Sequence, residues 1–202
     1  MTGLEHTALL YLSEQELLET KAVVLAILDT ESDSKVIILD QTVFYPQGGG
    51  QPYDLGIITI NDNVYNVNAV RFVEGLVYHF IEEDISEDLA GQNALLKVDD
   101  RRRYLNSKLH TAGHLLDVAM GNAGINLSPT KGYHFPDSPY VEYEGIIDPE
   151  DRSAVCEKVE FEANQLIEKG NKVSALIVDS YDELHQHCDF VPEYVPKDKP
   201  IR

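Results

Sequence analysis

The sequence has few cysteines, few basic residues and no long hydrophobic run. Its 202 residues include two cysteines, Cys156 and Cys188, which are too few for a disulfide framework. No stretch approaches the roughly 18 apolar residues that span a membrane, and no charged-then-apolar leader opens the chain. Membrane and secreted classes are therefore not expected, and a cytoplasmic location is.

Basic side chains are scarce overall, because 16 Lys and Arg face 35 Asp and Glu for a formal net charge of −19. Such a charge repels a polyanion at long range, so a nucleic-acid partner requires a local basic patch. One patch occurs around residues 97–131 and consists of Lys97, Arg101, Arg102, Arg103, Lys108 and Lys131. Arginines in the first turn of a helix oppose its dipole, so a phosphate or a carboxylate must favour them there, unless they simply face solvent.

Short β-branched runs fill the first half of the chain and are typical of strands. Turn-forming clusters separate them at intervals that favour antiparallel hairpins. The predicted strands are Ala22–Leu28, Lys35–Leu39, Gly56–Ile60, Val64–Phe72, Leu76–Ile81 and Ala94–Val98. We therefore predict an antiparallel β-barrel-like domain over residues 1–98.

From Asp99 the periodicity becomes helical to about Gly121, which predicts an α+β domain over residues 99–202 with helices packed on a sheet. A strand pair near 133–135 and 140–144 precedes a second helix, for which Asp148 is the expected N-cap and Gly170 the end. The expected core face of that helix is Val155, Val159, Ala163 and Leu166, with Cys156 a core thiol beside it. Beyond it we expect a strand at 173–178, a short helix at 181–187 and an extended tail spaced by Pro192, Pro196 and Pro200.

Two histidines stand one turn apart on the first predicted helix. The apolar residues Leu105, Leu109, Ala112, Leu116 and Ala119 form one stripe, which predicts the core face. His110 and His114 point away from that stripe, and two imidazoles at i and i+4 form half of a metal site. The alternative is that both side chains lie on an ordinary solvated face.

The string Phe44-Tyr-Pro-Gln-Gly-Gly-Gly-Gln-Pro52 is unusual for a hairpin, since three glycines allow another surface to approach the backbone closely. A structural loop is the simpler interpretation. Together with the His110-Thr-Ala-Gly-His114 string and the Lys131-Gly132 pair, this string resembles the editing domain of alanyl-tRNA synthetases and the freestanding alanyl-tRNA editing proteins of the AlaX group. The resemblance extends from about Lys21 to Arg202.

The resemblance implies a hydrolase for translation fidelity that removes serine or glycine from the acceptor end of alanine tRNA. It implies Zn²⁺ as cofactor, with His110 and His114 as ligands and as catalytic residues beside Thr130, which is expected to hydrogen-bond the serine hydroxyl. The substrate-binding residues that it implies are Gly48, Gly49, Gly50, Gln51, Thr130, Lys131, Gly132 and Arg103. Gly113 departs from the family, which often has Thr or Leu there, so the size of the pocket stays open.

The zinc site that the resemblance implies lacks part of its ligand set. The family adds a Cys-x-x-x-His pair, which this sequence does not contain, and catalytic zinc needs three protein ligands and one open position. We expect the native chain to continue past Arg202 into that pair. The alternative is a rebuilt site that uses His185, His187 or Cys188.

Two other readings of the chain stay open at the sequence level. A non-catalytic tRNA- or protein-binding module is the alternative function. A fragment of a larger synthetase is less expected than a freestanding protein, because the sequence starts at Met1 with no aminoacylation domain before it.

Overall fold

The computed structural model describes residues 3–30, 34–178 and 181–188. They form two compact units: the first holds the residues up to Tyr45, Leu55–Val98 and the described residues from Val173, and the second holds Pro46–Asp54 and Asp99–Lys172. In this division the Gly-rich segment groups with the second unit. The continuous domains 1–98 and 99–202 stay a prediction.

The first unit consists mainly of β-strands. Its elements in chain order are β1 (Ala8–Leu9), α1 (Leu10–Ser13), β2 (Glu19–Asp29), β3 (Lys35–Leu39), β4 (Gln41–Thr42), β5 (Gly56–Ile60), β6 (Asn63–Val73), β7 (Leu76–Ile81), a 3₁₀ turn (Glu87–Leu89) and β8 (Asn93–Val98). Six of these strands close into an antiparallel barrel in the order β2-β3-β7-β6-β5-β8, and a short parallel pair, β1 with β4, lies outside it. The predicted barrel-like domain and all six of its strands are confirmed.

Alternation of side chains explains why these segments close a barrel. In β8 the residues Ala94, Leu96 and Val98 are buried while their neighbours are exposed, which is the period of two that a one-sided strand requires. The β5–β6 hairpin turns through Asn61 and Asp62, whose φ angles of 48° and 64° suit a two-residue primed turn. The barrel therefore follows from local sequence pattern.

His79 is fully buried inside this unit, and both of its ring nitrogens have protein partners. Nδ1 donates to the carbonyl of Ile37 at 3.0 Å, so Nε2 accepts from the Thr42 hydroxyl at 2.8 Å. The Thr42 oxygen in turn accepts from the Phe44 amide at 3.1 Å. Burial lowers the pKa of His79 from 6.5 to about 4, so the imidazole is neutral at physiological pH.

The second unit contains two long helices and a two-stranded sheet. Helix α2 (Asp100–Asn122) starts where the Asp99 side chain accepts from the Arg102 amide at 3.0 Å. Strands β9 (Ser128–Tyr133) and β10 (Tyr140–Glu144) pair antiparallel, with Tyr140 opposite Tyr133. Helix α3 (Arg152–Lys169) packs against α2 and ends at Gly170 in the left-handed conformation. The α+β class is confirmed.

The predicted core face of α2 is largely wrong, because Ala119 alone of its five residues is buried. Leu105 and Leu116 are 46% and 36% exposed, whereas Arg103, Asn106 and Gly113 on a neighbouring face are buried. The periodicity of leucines identified one apolar face, but the residues of the polar face are the ones that other chain segments cover. His110 lies on this buried side and is half-buried.

Three smaller expectations in the C-terminal part are also wrong. Helix α3 begins at Arg152 rather than at Pro149, because Asp148 is held in a turn by the Asp151 amide at 2.9 Å. Cys156 is exposed because it lies beside rather than on the buried stripe, whose expected members are the more buried residues of α3. Residues 173–177 are irregular and exposed instead of forming a strand.

Helix α4 spans Tyr181–Leu184, and the proline-spaced tail lies outside the described residues. Within the described ranges, no helix has the length and apolar character to cross a membrane.

Candidate functional site

The Gly-rich segment, residues 46–54, runs beside the buried face of α2 within the second unit. Arg102 Nε donates to the Tyr53 carbonyl at 3.0 Å, and the Arg102 guanidinium lies 5.6 Å from the Tyr53 ring centre. Two turns further along the helix, His110 Nδ1 lies 2.9 Å from Gln51 Oε1. The segment is thus attached to α2 through Gln51 and Tyr53.

Arg103 and Asp54 form a buried ion pair between this segment and the helix. Arg103 Nε lies 3.1 and 3.0 Å from the two Asp54 carboxylate oxygens, and Arg103 Nη2 also contacts Oδ2. A forked guanidinium–carboxylate pair fixes orientation as well as distance. A carboxylate is one of the partners that the sequence left open for the arginines of the first helical turns, and Asp54 is that partner for Arg103. Arg103 as a substrate ligand stays a prediction, and its guanidinium is committed to Asp54.

Two glycines of the segment form its turn. The amides of Gly48 and Gln51 each donate to the other's carbonyl, at 3.2 and 3.0 Å. Gly49 and Gly50 between them have φ angles of 55° and 74°, which side chains seldom adopt. A Cβ at Gly50 would also overlap the Gly132 carbonyl on β9. The turn therefore needs glycine both for its conformation and for its approach to the sheet.

His110 and His114 stack with ring centres 5.1 Å apart and an interplanar angle of 23°. The Gln51 side-chain oxygen only accepts, so His110 Nδ1 carries the proton and Nε2 carries the lone pair. His114 is largely exposed, and its Nδ1 lies 3.8 Å from Asp117 Oδ2. Asp117 also accepts from the Tyr143 hydroxyl at 2.7 Å, and this contact and burial raise the pKa of Tyr143.

His134, which follows β9, was not singled out by the sequence analysis. Its ring stacks on His110 with centres 4.6 Å apart and an angle of 16°. The residue is 6% exposed, and its amide donates to the Gly50 carbonyl at 2.8 Å. Burial and the neighbouring His114 lower its pKa, against a smaller opposing effect of Asp117.

Three glycines from three separate motifs surround the His134 ring. A Cβ at Gly113 would overlap its Cε1, a Cβ at Gly132 would lie 2.5 Å from its Nε2, and a Cβ at Gly50 would lie 3.2 Å from its Cδ2. At Gly113 and Gly132 these distances to the His134 ring are shorter than a real Cβ atom tolerates. Gly113, the departure from the family pattern, therefore makes room for an imidazole. Only the register of the folded chain connects these positions.

Thr130 and Lys131 lie on β9 and are exposed. The Thr130 hydroxyl donates to the Glu142 carbonyl on β10 at 3.1 Å. Lys131 Nζ lies 5.5 Å from the centre of the Tyr140 ring, and hydrogen bonding to the Tyr140 side chain raises the pKa of Lys131. The roles of both residues in substrate binding stay predictions.

Asn106, one turn before His110, is fully buried with neither side-chain atom hydrogen-bonded. It is the one described residue whose side-chain polar atoms are enclosed without a partner. An unpaired buried amide is costly, on the order of 1–3 kcal/mol. The buried face of α2 thus combines one strongly paired polar residue, Arg103, with one unpaired residue.

The donor set of the described residues does not by itself fit zinc. The Gln51 contact gives His110 the tautomer that a metal ligand needs, since its second nitrogen is oriented by an oxygen acceptor. However, no three His, Cys, Asp or Glu side chains within the described ranges are arranged around a common ion position. That result includes the alternative cluster of His185, His187 and Cys188, which the structure does not assemble into a site.

Comparisons with known proteins relate the chain to alanine–tRNA ligases. The family model described as class II (A) tRNA synthetases matches residues 13–102. The alanine–tRNA ligase of Methanosarcina mazei is 32% identical over 168 residues, which cover 81% of this chain and 17% of the ligase. That of Methanococcoides burtonii is 30% identical over 177 residues, which cover 84% and 18%.

A shorter match is stronger in identity: the alanine–tRNA ligase of Methanosphaera stadtmanae is 43% identical over 88 residues, or 42% of this chain and 10% of the ligase. The chain spans less than a fifth of the length of these relatives. The matches confirm the resemblance indicated by the glycine and histidine motifs.

Proposed function

Since the chain is related to the alanyl-tRNA synthetases, we propose that it is an aminoacyl-tRNA deacylase that removes serine or glycine wrongly attached to alanine tRNA. The observation that carries the proposal is the hydrogen bond between Gln51 of the Gly-rich motif and His110 of the histidine motif. Two motifs 59 residues apart thereby meet at one imidazole, and this contact sets its tautomer.

His110 supplies the chemistry that ester hydrolysis needs. In that reaction a water oxygen adds to the ester carbonyl carbon, and the ribose oxygen leaves with a proton. Because Nδ1 of His110 donates to Gln51, Nε2 is the nitrogen whose lone pair accepts a proton from water or coordinates an ion. The His110 ring is held in place by two stacked rings, that of His114 on the same helix and that of His134, which follows β9.

The basic patch supports a tRNA end as the partner. Arg101 and Lys108 are exposed on α2, and Lys131 is exposed on β9, all within the second unit. Phosphate contacts position a nucleic acid, while the net charge of −19 disfavours non-specific binding elsewhere. The proposal places this activity in the cytoplasm.

Zinc at His110 and His114 is part of the proposal and requires further ligands beyond the described set. Zinc content of the purified chain tests it directly. We expect His110→Ala and His114→Ala to lose the metal with the fold retained, and His187→Ala to keep it. Zinc lost in His187→Ala but kept in the other two variants would instead favour the rebuilt site.

The activity is tested by measuring the release of labelled serine and labelled glycine from alanine tRNA that has been mischarged with each of them. We expect the chain to release both amino acids and His110→Ala to be at least about 100-fold slower, as for a lost acid–base group. Tight tRNA binding without release would support the alternative, a non-catalytic tRNA-binding module, which the incomplete donor set favours.

A further inference from the structure

His134 differs from the other buried histidine of the chain in having no hydrogen bond to its ring. Its amide is bonded to Gly50, but neither ring nitrogen meets a donor or acceptor among the described residues. A neutral imidazole offers one N–H donor and one acceptor, so two polar atoms are left unmet. Leaving such atoms unmet in a buried position is costly, and water or a ligand must therefore satisfy them.

The ring nitrogens of His134 are reachable from outside. In the described part of the chain, the polar side-chain atoms that are both sealed from solvent and unbonded belong to Asn106 alone. The unbonded nitrogens of His134 consequently keep some surface, although the residue as a whole is 6% exposed. The two ring nitrogens are therefore not sealed inside the protein, and water or a ligand can reach them.

The shape of the surroundings shows that the ring is positioned rather than merely tolerated. Gly113 and Gly132 would both clash with it if they carried a Cβ, and Gly50 approaches from the third side. The His110 ring covers one face at 4.6 Å. A ring held on so many sides loses little further freedom when a ligand binds, which favours selective recognition.

We propose that His134 is a specificity-determining residue that hydrogen-bonds the side-chain hydroxyl of the amino acid esterified to the tRNA. This inference rests on the proposed function and names the part of the substrate that the site reads. A serine hydroxyl also offers one donor and one acceptor, which matches the imidazole, whereas the methyl group of alanine offers neither. A site that leaves buried polar atoms unpaired with the wrong substrate rejects it strongly.

The geometry favours His134 over Thr130 for this role. Thr130 is exposed and its hydroxyl proton is donated to the Glu142 carbonyl across the hairpin. His134 is buried, stacks directly on His110, and has both ring nitrogens uncommitted. Thr130→Val therefore tests the competing assignment, and His6→Leu, which changes an exposed histidine of the first unit, is the matched control for His134→Leu.

The test measures binding of two non-hydrolysable probes, 3′-deoxy-3′-(L-serylamino)adenosine and its alanyl counterpart, to the full chain. We expect the wild type to prefer the seryl probe about 10-fold or more. His134→Leu should bring that preference close to 1 with binding of the alanyl probe nearly unchanged, His134→Gln should restore part of it, and the control His6→Leu should keep it. Loss of the preference in Thr130→Val but not in His134→Leu would overturn the inference.

Each outcome decides between the proposals. If the wild type binds neither probe, the proposed function and this inference both fail. If both probes bind and folded His134→Leu keeps the seryl preference, only this inference fails. If His134→Leu does not fold, the ring resonances of His134 in the wild type serve instead: they should shift with the seryl probe and not with the alanyl probe, and equal shifts would overturn the inference.

Discussion

The two units treat a buried histidine in opposite ways. In the barrel, His79 has both ring nitrogens bonded to the protein, through Ile37 and Thr42. In the second unit, His134 has the ring nitrogens unbonded, and the Asn106 amide on α2 is unpaired as well. Folding alone explains the first arrangement, since every polar atom is satisfied. The second arrangement is costly for folding and is typical of a binding site.

The largest effect is expected at the buried ion pair between Arg103 and Asp54 in the second unit. Asp54→Ala leaves the Arg103 guanidinium buried without its carboxylate, and we expect a loss of about 3–5 kcal/mol in the free energy of unfolding. Denaturant unfolding measures it. The double variant Asp54→Leu with Arg103→Met removes both charges and should regain most of the loss. A small loss in Asp54→Ala would mean that the pair does not fasten the Gly-rich segment to α2.

The barrel histidine predicts a pH dependence of stability. The pKa of His79 is about 4 in the folded chain against 6.5 when exposed, so the unfolded chain binds more protons between these values. Stability attributable to His79 is therefore constant above pH 6.5 and falls as pH drops toward 4, by about 3 kcal/mol in all.

Titration of the His79 ring by NMR checks this prediction. We expect the His79 ring to be neutral at pH 5 and to take up its proton only near pH 4. A His79 ring that titrates near 6.5 would contradict the closed hydrogen-bond network assigned to the barrel.

The smallest expected effect tests the space around His134. Ala normally stabilises a helix by about 0.5–1 kcal/mol relative to Gly, and Gly121 on α2, which has open space at its Cβ position, should show that gain on Gly121→Ala. Gly113→Ala should instead destabilise by about 1–3 kcal/mol, because its Cβ overlaps the His134 ring. Thermal unfolding of both variants provides the comparison.

A sign reversal makes this comparison sharper. In a His134→Ala background the obstruction is gone, so Gly113→Ala should become neutral or stabilising. The same destabilisation in both backgrounds would show that His134 does not occupy the space beside Gly113.

Local pattern was sufficient for the barrel but not for the site. All six barrel strands follow from short β-branched runs separated by turn-forming clusters, and β8 also shows the alternation of a strand that buries one side. The buried face of α2 was assigned wrongly, since the leucine stripe at Leu105 and Leu116 is visible in sequence while the partners of Arg103 and His110 lie about 50 residues away. His134 was missed for the same reason: its three surrounding glycines come from separate motifs.

The motifs nevertheless identified the correct segments. The Gly-rich string, the histidine pair and the Lys131-Gly132 pair meet in one unit, although nothing in the sequence indicated which residue they surround. A useful signal would have been that glycine occupies all three motifs and that a histidine follows Gly132 by two positions. That pattern gains meaning only with the register of β9 against the Gly50 turn.

We propose that the second unit discriminates between amino acids esterified to tRNA, and initial rates of deacylation on two substrates test this proposal most directly. Alanine tRNA is charged with labelled serine in one reaction and with labelled alanine in the other, and the chain is added at equal concentration to each. We expect serine to be released rapidly and alanine to be released at least about 100-fold more slowly. Equal release of the two amino acids, or release of neither, would contradict it.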